Sequence, residues 1–163
     1  MKTLITGGKS AQALKLLKAF TGYQIILADY GEAPSFSSAQ YQFISLGGKN
    51  EETIAHNLLT VCLDQEIDRL IPLHIFELEA VVKSLILFEE FNIHVLLPDI
   101  NSFPLYKLSG AVNAQNWAVF DKGELLYASA GTPVLTVKEE ELNGVFYMNE
   151  AGDETRPVLF TIS

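Results

Sequence analysis

The sequence contains little cysteine and few basic residues. Cys62 is the only cysteine among 163 residues, so the chain cannot form an internal disulfide. Eleven Lys and Arg residues stand against twenty Asp and Glu residues, which gives a formal net charge of −9. Nucleic-acid binding requires clustered basic side chains that neutralise phosphates, and the few basic residues here are spread along the chain. The composition therefore predicts no nucleic-acid partner.

Also lacking are the hydrophobic segments that direct a chain to a membrane or to export. No run of 18 apolar residues occurs, and no basic N-terminal region precedes an apolar stretch. We therefore expect no membrane association and a cytoplasmic location. The residues that are abundant indicate a folded globular chain, because 48% are apolar and only 19% are charged.

The first hundred residues alternate short apolar runs with segments of helical periodicity. The helical segments begin near Ala13, near Ile54 with Asn50 as the expected N-cap, and near Leu78, from which a helix is expected to run to about Phe91. Because parallel strands need crossover connections, this alternation predicts a five-stranded, mostly parallel, doubly wound, Rossmann-like α/β sheet in residues 1–100. The expected strands cover residues 2–6, 23–29, 42–46, 68–74 and 94–99.

Residues 101–163 show short apolar runs and predict a small β-rich extension packed on the α/β domain. The triplet Asp121-Lys122-Gly123 is typical of a hairpin turn. Three further strands are expected at 133–137, 144–148 and 156–162, with a hairpin loop at 149–154 and a solvated turn or helix start at 138–142. We expect the aromatic residues of this region to form its core, or in part a subunit interface. They are Trp117, Phe120, Tyr127, Phe146, Tyr147 and Phe160.

The segment Gly7-Gly8-Lys9-Ser10 raises the question whether the first turn binds phosphate. A Walker loop requires a further glycine five residues before the Gly-Lys pair, so that successive backbone N–H groups wrap the phosphates. Thr3 stands at that position, inside the first expected strand. The segment is therefore not expected to be a P-loop.

A dinucleotide-binding fingerprint is also incomplete. Gly7 ends the first strand and Asp29 ends the second, at a spacing that suits an acidic residue that binds a ribose hydroxyl. However, Lys9 and Gln12 occupy the positions where the motif has its later glycines. The sequence therefore does not support a conventional NAD site.

Two interpretations of the turn remain. A Gly-Gly turn that leads into a helix directs free N–H groups and the positive end of the helix dipole toward any ligand placed there. In the first interpretation, Gly7, Gly8, Lys9 and Ser10 bind a small anionic or polar ligand at the carboxyl edge of the sheet, together with Asp29. In the second, the glycines permit a tight turn, Ser10 caps the helix and Lys9 is solvated.

His74 and Glu77 follow the fourth expected strand and belong to the same candidate ligand-binding edge, where a histidine can bind a ligand or transfer protons. Glu77 and Glu79 also suit the first turn of a helix, because the helix dipole favours carboxylates there. We therefore interpret this cluster as helix capping and solvated surface rather than as a catalytic pair. His56 and His94 do not converge with it by spacing, so no metal site is expected.

The order of these segments resembles the pre-ATP-grasp domain, the N-terminal α/β domain of carbamoyl-phosphate-synthetase-like ATP-grasp enzymes. Four stretches within residues 1–100 carry the resemblance: LITGGKSAQALKLLKAF, YQIILAD, IDRLIPLHIFELEAV and FEEFNIHVLLPD. In that family the domain helps to position the substrate that is to be activated, while a separate, larger domain binds ATP and magnesium. The resemblance therefore implies a substrate-side domain without its own ATP site.

Two later stretches resemble the beginning of an ATP-grasp fold. FDKGELLYASAGTPVLTV is similar to its opening segment, which would make residues 121–130 helical instead of a hairpin. RPVLFTIS is similar to the strand that carries an ATP-contacting lysine, and Thr161 stands where that lysine would be expected. The resemblance thus implies that the ATP chemistry has been lost.

Together these observations favour a non-catalytic module that binds a small anionic ligand or another protein, and no cofactor can be named from the sequence. One alternative is the substrate-side subunit of a split ATP-grasp ligase, which would associate with an ATP-grasp partner subunit or with copies of itself. A second alternative is a nucleotide-binding, Rossmann-like enzyme, although no nucleophile, acid–base pair or metal-ligand set supports it.

Overall fold

The parallel sheet expected for the first hundred residues is present. The computed structural model describes residues 1–34, 38–107, 116–130, 142–151 and 154–162. The chain divides into a first unit, Met1–Val95 with Thr161–Ser163, and a second unit, Leu96–Phe160. Within the described ranges, no helix is long and apolar enough to cross a membrane.

Five parallel strands form the sheet of the first unit, in the spatial order β3-β2-β1-β4-β5. This order confirms the predicted Rossmann-like α/β fold. The fourth and fifth strands are shorter than the expected runs, because Pro72 has no N–H to continue the ladder and the residues after Val95 belong to the second unit. The strands are β1 (Lys2–Thr6), β2 (Gln24–Asp29), β3 (Tyr41–Ser45), β4 (Arg69–Ile71) and β5 (His94–Val95).

Four α-helices connect these strands: α1 (Ala11–Leu16), which continues into a 3-10 turn over Leu17–Phe20, α2 (Ile54–Asp64), α3 (Ile75–Lys83) and α4 (Leu85–Glu90). Their apolar faces supply the core of the unit, with Ala13, Leu16, Leu58 and Val81 almost fully buried. Cys62 is buried on α2, and burial raises the pKa of its thiol to about 12.

Two predicted helix boundaries are wrong. Thr53, not Asn50, precedes the first residue of α2, because the Asn50 side chain accepts a hydrogen bond from the Glu52 amide (3.1 Å) and forms a turn of its own before the helix. The single helix expected to run to Phe91 is interrupted at Ser84, whose amide donates to Val81 in a tightened turn.

The second unit is an antiparallel sheet in the spatial order β7-β6-β8-β9. Its strands are β6 (Trp117–Asp121), β7 (Glu124–Ala128), β8 (Gly144–Ala151) and β9 (Glu154–Leu159). The hairpin between β6 and β7 is confirmed, since Lys122 and Gly123 both have positive φ angles, 50° and 85°, as a two-residue turn of type I′ requires. The helical alternative for residues 121–130 is therefore wrong.

The last hairpin is tighter than predicted, because β8 and β9 pair as far as Ala151 and Glu154. Most of the loop expected at 149–154 is thus strand. The strand expected at 133–137 lies outside the described residues, as does most of the turn expected at 138–142. Leu142, at the end of that turn, is buried rather than solvated.

Aromatic side chains form much of the core of this unit, as predicted. Trp117, Phe146 and Phe160 are each at most 2% exposed. The Tyr147 and Phe160 rings stack with their centroids 4.6 Å apart. Tyr127 is only half-buried, but its ring lies 4.9 Å from that of Trp117.

Candidate functional site

The strand order reverses at one place in the parallel sheet, next to β1. From β1 the chain adds β2 and β3 on one side, whereas β4 and β5 lie on the other side. In open α/β sheets ligands bind outside the carboxyl ends of the strands at such a switch point. Gly7, Asp29 and His74 follow or end β1, β2 and β4 and therefore meet there.

Both glycines of the first turn are required by the backbone. Gly7 has a φ of 68°, a left-handed conformation that favours glycine. A Cβ atom on Gly8 would lie 2.8 Å from the Cβ of Leu27 and 3.1 Å from the amide nitrogen of Ala28. The turn thus passes directly against β2, where no side chain fits.

The amides of this turn already have acceptors within the chain. Gly8 donates to the Ala28 carbonyl (3.0 Å), and Ser10 donates to the Gly7 carbonyl (2.9 Å). The Lys9 amide donates to Oδ2 of Asp29 (3.1 Å). The amides of Gly8, Lys9 and Ser10 are therefore engaged within the chain and do not form a cradle for an anion.

Ser10 caps α1 as the second interpretation of the turn predicts. Its hydroxyl accepts from the Ala13 amide (3.1 Å) and donates to the Gly7 carbonyl (2.6 Å). Lys9 is exposed, but its ammonium group donates to the Tyr30 carbonyl (2.7 Å) and so stays close to the end of β2.

Asp29 connects the first turn to the end of β4. Its Oδ1 lies 2.8 Å from Nε2 of His74, and the two side chains are only 10% and 15% exposed. The same carboxylate accepts from the amides of Lys9 and Tyr30. One buried carboxylate therefore fixes the position of both the turn and the imidazole.

Glu77 lies behind this pair and is completely buried. Its two carboxyl oxygens accept from the Tyr30 hydroxyl and from the Thr6 hydroxyl, both at 2.7 Å. The Thr6 oxygen in turn accepts from the Leu73 amide (2.8 Å). Burial raises the pKa of Glu77, and the hydrogen bonds from Tyr30 and Thr6 and the nearby charge of His74 offset part of this increase.

The prediction that this cluster is solvated helix surface is wrong for Glu77 and holds for Glu79. Glu79 is exposed and forms an i,i+4 pair with Lys83 (3.3 Å). Glu77 lies two residues before Glu79, on the buried side of α3, where Tyr30 and Thr6 supply the hydroxyl donors that an isolated helix cannot.

Burial and the neighbouring Glu77 carboxylate raise the pKa of Tyr30, so its hydroxyl remains a donor at neutral pH. Aromatic rings cover the outer side of the network. The rings of His74 and Phe76 stack with centroids 4.8 Å apart, and the Tyr30 ring lies 5.3 Å from that of Phe76. The Lys49 ammonium group lies 3.9 Å from the Phe76 centroid.

The structure thus brings all of the predicted site residues to one edge of the sheet: Gly7, Gly8, Lys9, Ser10, Asp29, His74 and Glu77. His94 lies at the start of β5, near the amino edge, and His56 is exposed on α2. In the described ranges no group of three or more His, Cys, Asp or Glu side chains is placed to hold a metal ion.

Sequence reasoning missed Thr6, Tyr30 and Phe76. Thr6 is the last residue of β1, and Tyr30 directly follows β2. Thr6 and Tyr30 each lie next to a predicted site residue at the carboxyl end of a strand, and this position is the signal that could have identified them.

Ile162 also reaches this edge. Its amide donates to the Leu73 carbonyl (2.8 Å) and its carbonyl accepts from the Ile75 amide (3.1 Å), which forms a parallel bridge at His74. The expected strand at 156–162 therefore ends earlier, at Leu159, and Ile162 pairs with the first unit instead.

A separate cavity of about 420 Å³ lies at the opposite, amino edge of the parallel sheet, with Lys2, Tyr23 and Tyr41 among its lining residues. It is distant from the Asp29–His74 pair along the strands and lies at the edge that α/β sheets use less often for ligands.

No protein-family model matches the chain, and no curated protein sequence matches it.

Proposed function

We propose that this chain is a non-catalytic binding module, similar in plan to a pre-ATP-grasp domain, that holds a small anionic ligand at the carboxyl edge of β1, β2 and β4. The observation that carries the proposal is the Asp29 carboxylate, which binds both the Lys9 amide and the His74 imidazole. The carboxylate thereby fixes the imidazole at the switch point of the sheet, where ligands of open α/β folds bind. The Lys9 ammonium group is held at the end of β2 by the Tyr30 carbonyl.

Side chains would supply the contacts to the ligand. The Lys9 ammonium group is exposed and is held near the end of β2 by the Tyr30 carbonyl. His74 offers a ring whose orientation is set by its bond to Asp29. Charge-assisted hydrogen bonds from such groups to an anion are about twice as strong as neutral ones.

Binding rather than catalysis is supported by how the potential nucleophiles are used. The Ser10 hydroxyl donates to Gly7 and accepts from Ala13, so its hydrogen bonds serve the helix cap. Cys62 is buried on α2, with a thiol pKa of about 12, so it carries no thiolate at neutral pH.

Thermal unfolding in the presence of a panel of anions tests the proposal. The panel contains inorganic phosphate, ATP with magnesium, ADP, bicarbonate and free amino acids, because a ligand that binds only the native state raises the melting temperature. We expect at least one of these compounds to raise it, and we expect Lys9→Gln and His74→Gln to abolish that increase.

Lys18→Gln is the matched control, because Lys18 is exposed on the 3-10 turn and its replacement removes the same charge. It should leave the increase intact. An increase that survives Lys9→Gln and His74→Gln, or the absence of any increase across the panel, would show that the proposal is wrong.

A further inference from the structure

Ile162 lies at the same carboxyl edge of the sheet at which the proposed ligand would bind. Two main-chain hydrogen bonds, to Leu73 and from Ile75, hold it across the end of β4. The residue is 8% exposed, so it is packed against this edge rather than extended into solvent.

The side chain of Ile162 lies directly over Gly7 and beside the imidazole. A Cβ atom on Gly7 would come within 2.2 Å of Cδ1 of Ile162 and within 3.7 Å of Nε2 of His74. The same small space is therefore bordered by the glycine turn, the imidazole and one aliphatic methyl group. Ile162 fills it with a group that makes no hydrogen bond to an anion.

Ile162 is attached to this edge through few backbone contacts. It pairs with the first unit through an isolated bridge rather than through a strand, and the preceding residue, Thr161, is half-buried. Segments with few buried contacts open with a smaller free energy than the core of a protein. Departure of Ile162 from this edge would break one isolated bridge and none of the strand pairings of the parallel sheet.

We propose that Ile162 is a plug that closes the candidate site, so that access of small molecules to His74 requires Ile162 to leave Gly7. The inference depends on the proposed function for its biological meaning, because it describes how that same site is regulated. The apparent dissociation constant of a ligand that needs the open state is the intrinsic constant divided by the open fraction. Loss of the plug should therefore tighten binding.

Two variants remove the plug to different extents. Ile162→Val deletes Cδ1, the atom that lies over Gly7, whereas Ile162→Ala removes most of the side chain. The matched control is Ile100→Ala, which makes the same change at a 54% exposed isoleucine of the second unit. Circular dichroism shows which variants are folded at the assay temperature. If Ile162→Ala is unfolded, the comparison is made with Ile162→Val alone.

The first measurement needs no ligand. Diethyl pyrocarbonate labels accessible neutral imidazoles, and mass spectrometry gives the rate at each histidine. We expect His74 to react at least about tenfold faster in Ile162→Ala than in the unchanged protein, since a minor open state is populated at roughly 10% or less. Ile162→Val should give a smaller increase, and the exposed His56 should react equally in all proteins.

Equal labelling of His74 in the unchanged protein and in both Ile162 variants would overturn the plug, as would an equal increase in Ile100→Ala. The second measurement is calorimetric titration with inorganic phosphate and with ATP and magnesium. Tighter binding to Ile162→Ala supports the plug, and equal binding to both proteins overturns it while leaving the proposed function intact. Faster labelling, with no binding of either titrant to either protein and no increase in melting temperature across the panel, would support the plug and overturn the proposed function.

Discussion

In the first unit the buried residues include five polar or charged side chains, whereas in the described part of the second unit the buried side chains are apolar or aromatic. The five are Thr3, Thr6, Asp29, Arg69 and Glu77. Three of them belong to the candidate site. Crossover connections bring the ends of distant strands to one edge of the parallel sheet, where the buried Thr6, Asp29 and Glu77 side chains form hydrogen bonds with other side chains.

The described part of the second unit has no such network, because hairpins connect neighbouring strands. The backbone conformation of a hairpin turn is determined by the residues of the turn itself. In the turn between β6 and β7, for example, Lys122 and Gly123 themselves adopt the positive φ angles that the turn requires. The sheet then buries a cluster of rings around Trp117, Phe146 and Phe160. Its stability should therefore depend on aromatic packing, while that of the first unit should also depend on hydrogen bonds.

The largest effect is expected in the aromatic core. Trp117→Ala removes a side chain that is 2% exposed, and should destabilise the second unit by about 3–5 kcal/mol through lost burial and a residual cavity. Chemical denaturation followed by circular dichroism measures this loss. Leu125→Ala, at a 53% exposed position of β7, is the control and should change stability by less than about 0.5 kcal/mol. Similar losses for the two variants would contradict the proposed role of the aromatic core.

The glycine turn of the first unit should be the next most sensitive point. Gly8→Ala places a Cβ atom against Leu27 and the Ala28 backbone, and overpacking of this kind costs about 1–3 kcal/mol. Gly48→Ala is the matched control, because no atom lies within 4 Å of its new Cβ. Urea titration of both variants gives the comparison. A tolerated alanine at Gly8 would show that the turn does not pass against β2 as described.

The hydroxyl of Tyr30 tests whether the polar network stabilises the first unit. Tyr30→Phe removes a donor to the buried Glu77 carboxyl and should cost about 1–3 kcal/mol. Tyr23→Phe removes a hydroxyl from a 39% exposed side chain and should change the free energy of unfolding by less than about 0.5 kcal/mol. Equal free energies of unfolding for the two variants would show that the Tyr30 hydroxyl does not stabilise the first unit.

A smaller effect is expected in the pH dependence of stability. Burial raises the pKa of Glu77 above its ordinary value of 4.5, so the folded chain binds this proton more tightly than the unfolded chain does. The Glu77 contribution therefore stabilises the fold fully below pH 4.5 and is lost as the pH rises through the raised pKa. Glu77→Gln should abolish that decline. The measurement is the free energy of unfolding as a function of pH, for the unchanged protein and for Glu77→Gln, and the decline is the difference between the two curves.

Glu79→Gln is the control for the pH experiment, since Glu79 is exposed and lies two residues away. Its curve should run parallel to that of the unchanged protein above pH 4.5. A Glu77→Gln curve that also runs parallel would show that the buried carboxyl does not titrate with a raised pKa.

Much of this fold could be predicted from the sequence, because it depends on local patterns. The apolar runs at Lys2–Thr6 and Gln24–Asp29 and the turn at Asp121 to Gly123 specify strands and a hairpin without knowledge of distant residues. The crossover rule then converts alternating elements into a parallel sheet. For the same reason, the residues at the strand ends of the site could be named.

The rest depends on contacts between residues far apart in the chain. The burial of Glu77 requires hydroxyl donors from Thr6 and Tyr30, which lie 71 and 47 residues away. The bridge from Ile162 to Leu73 and Ile75 has no local signal either. Periodicity could not reveal these contacts, although it identified the elements that make them.

The most direct test of the central claim is an NMR titration of the protein with the anion that most raises its melting temperature. A ligand at the carboxyl edge should shift the amide signals of residues 7–10 and 29–30 and the ring signals of His74, with little change at Lys2, Tyr23 and Tyr41 around the amino-edge cavity. Shifts concentrated at Lys2, Tyr23 and Tyr41, with those of His74 unchanged, would contradict the assignment of the binding site to the switch point of the sheet.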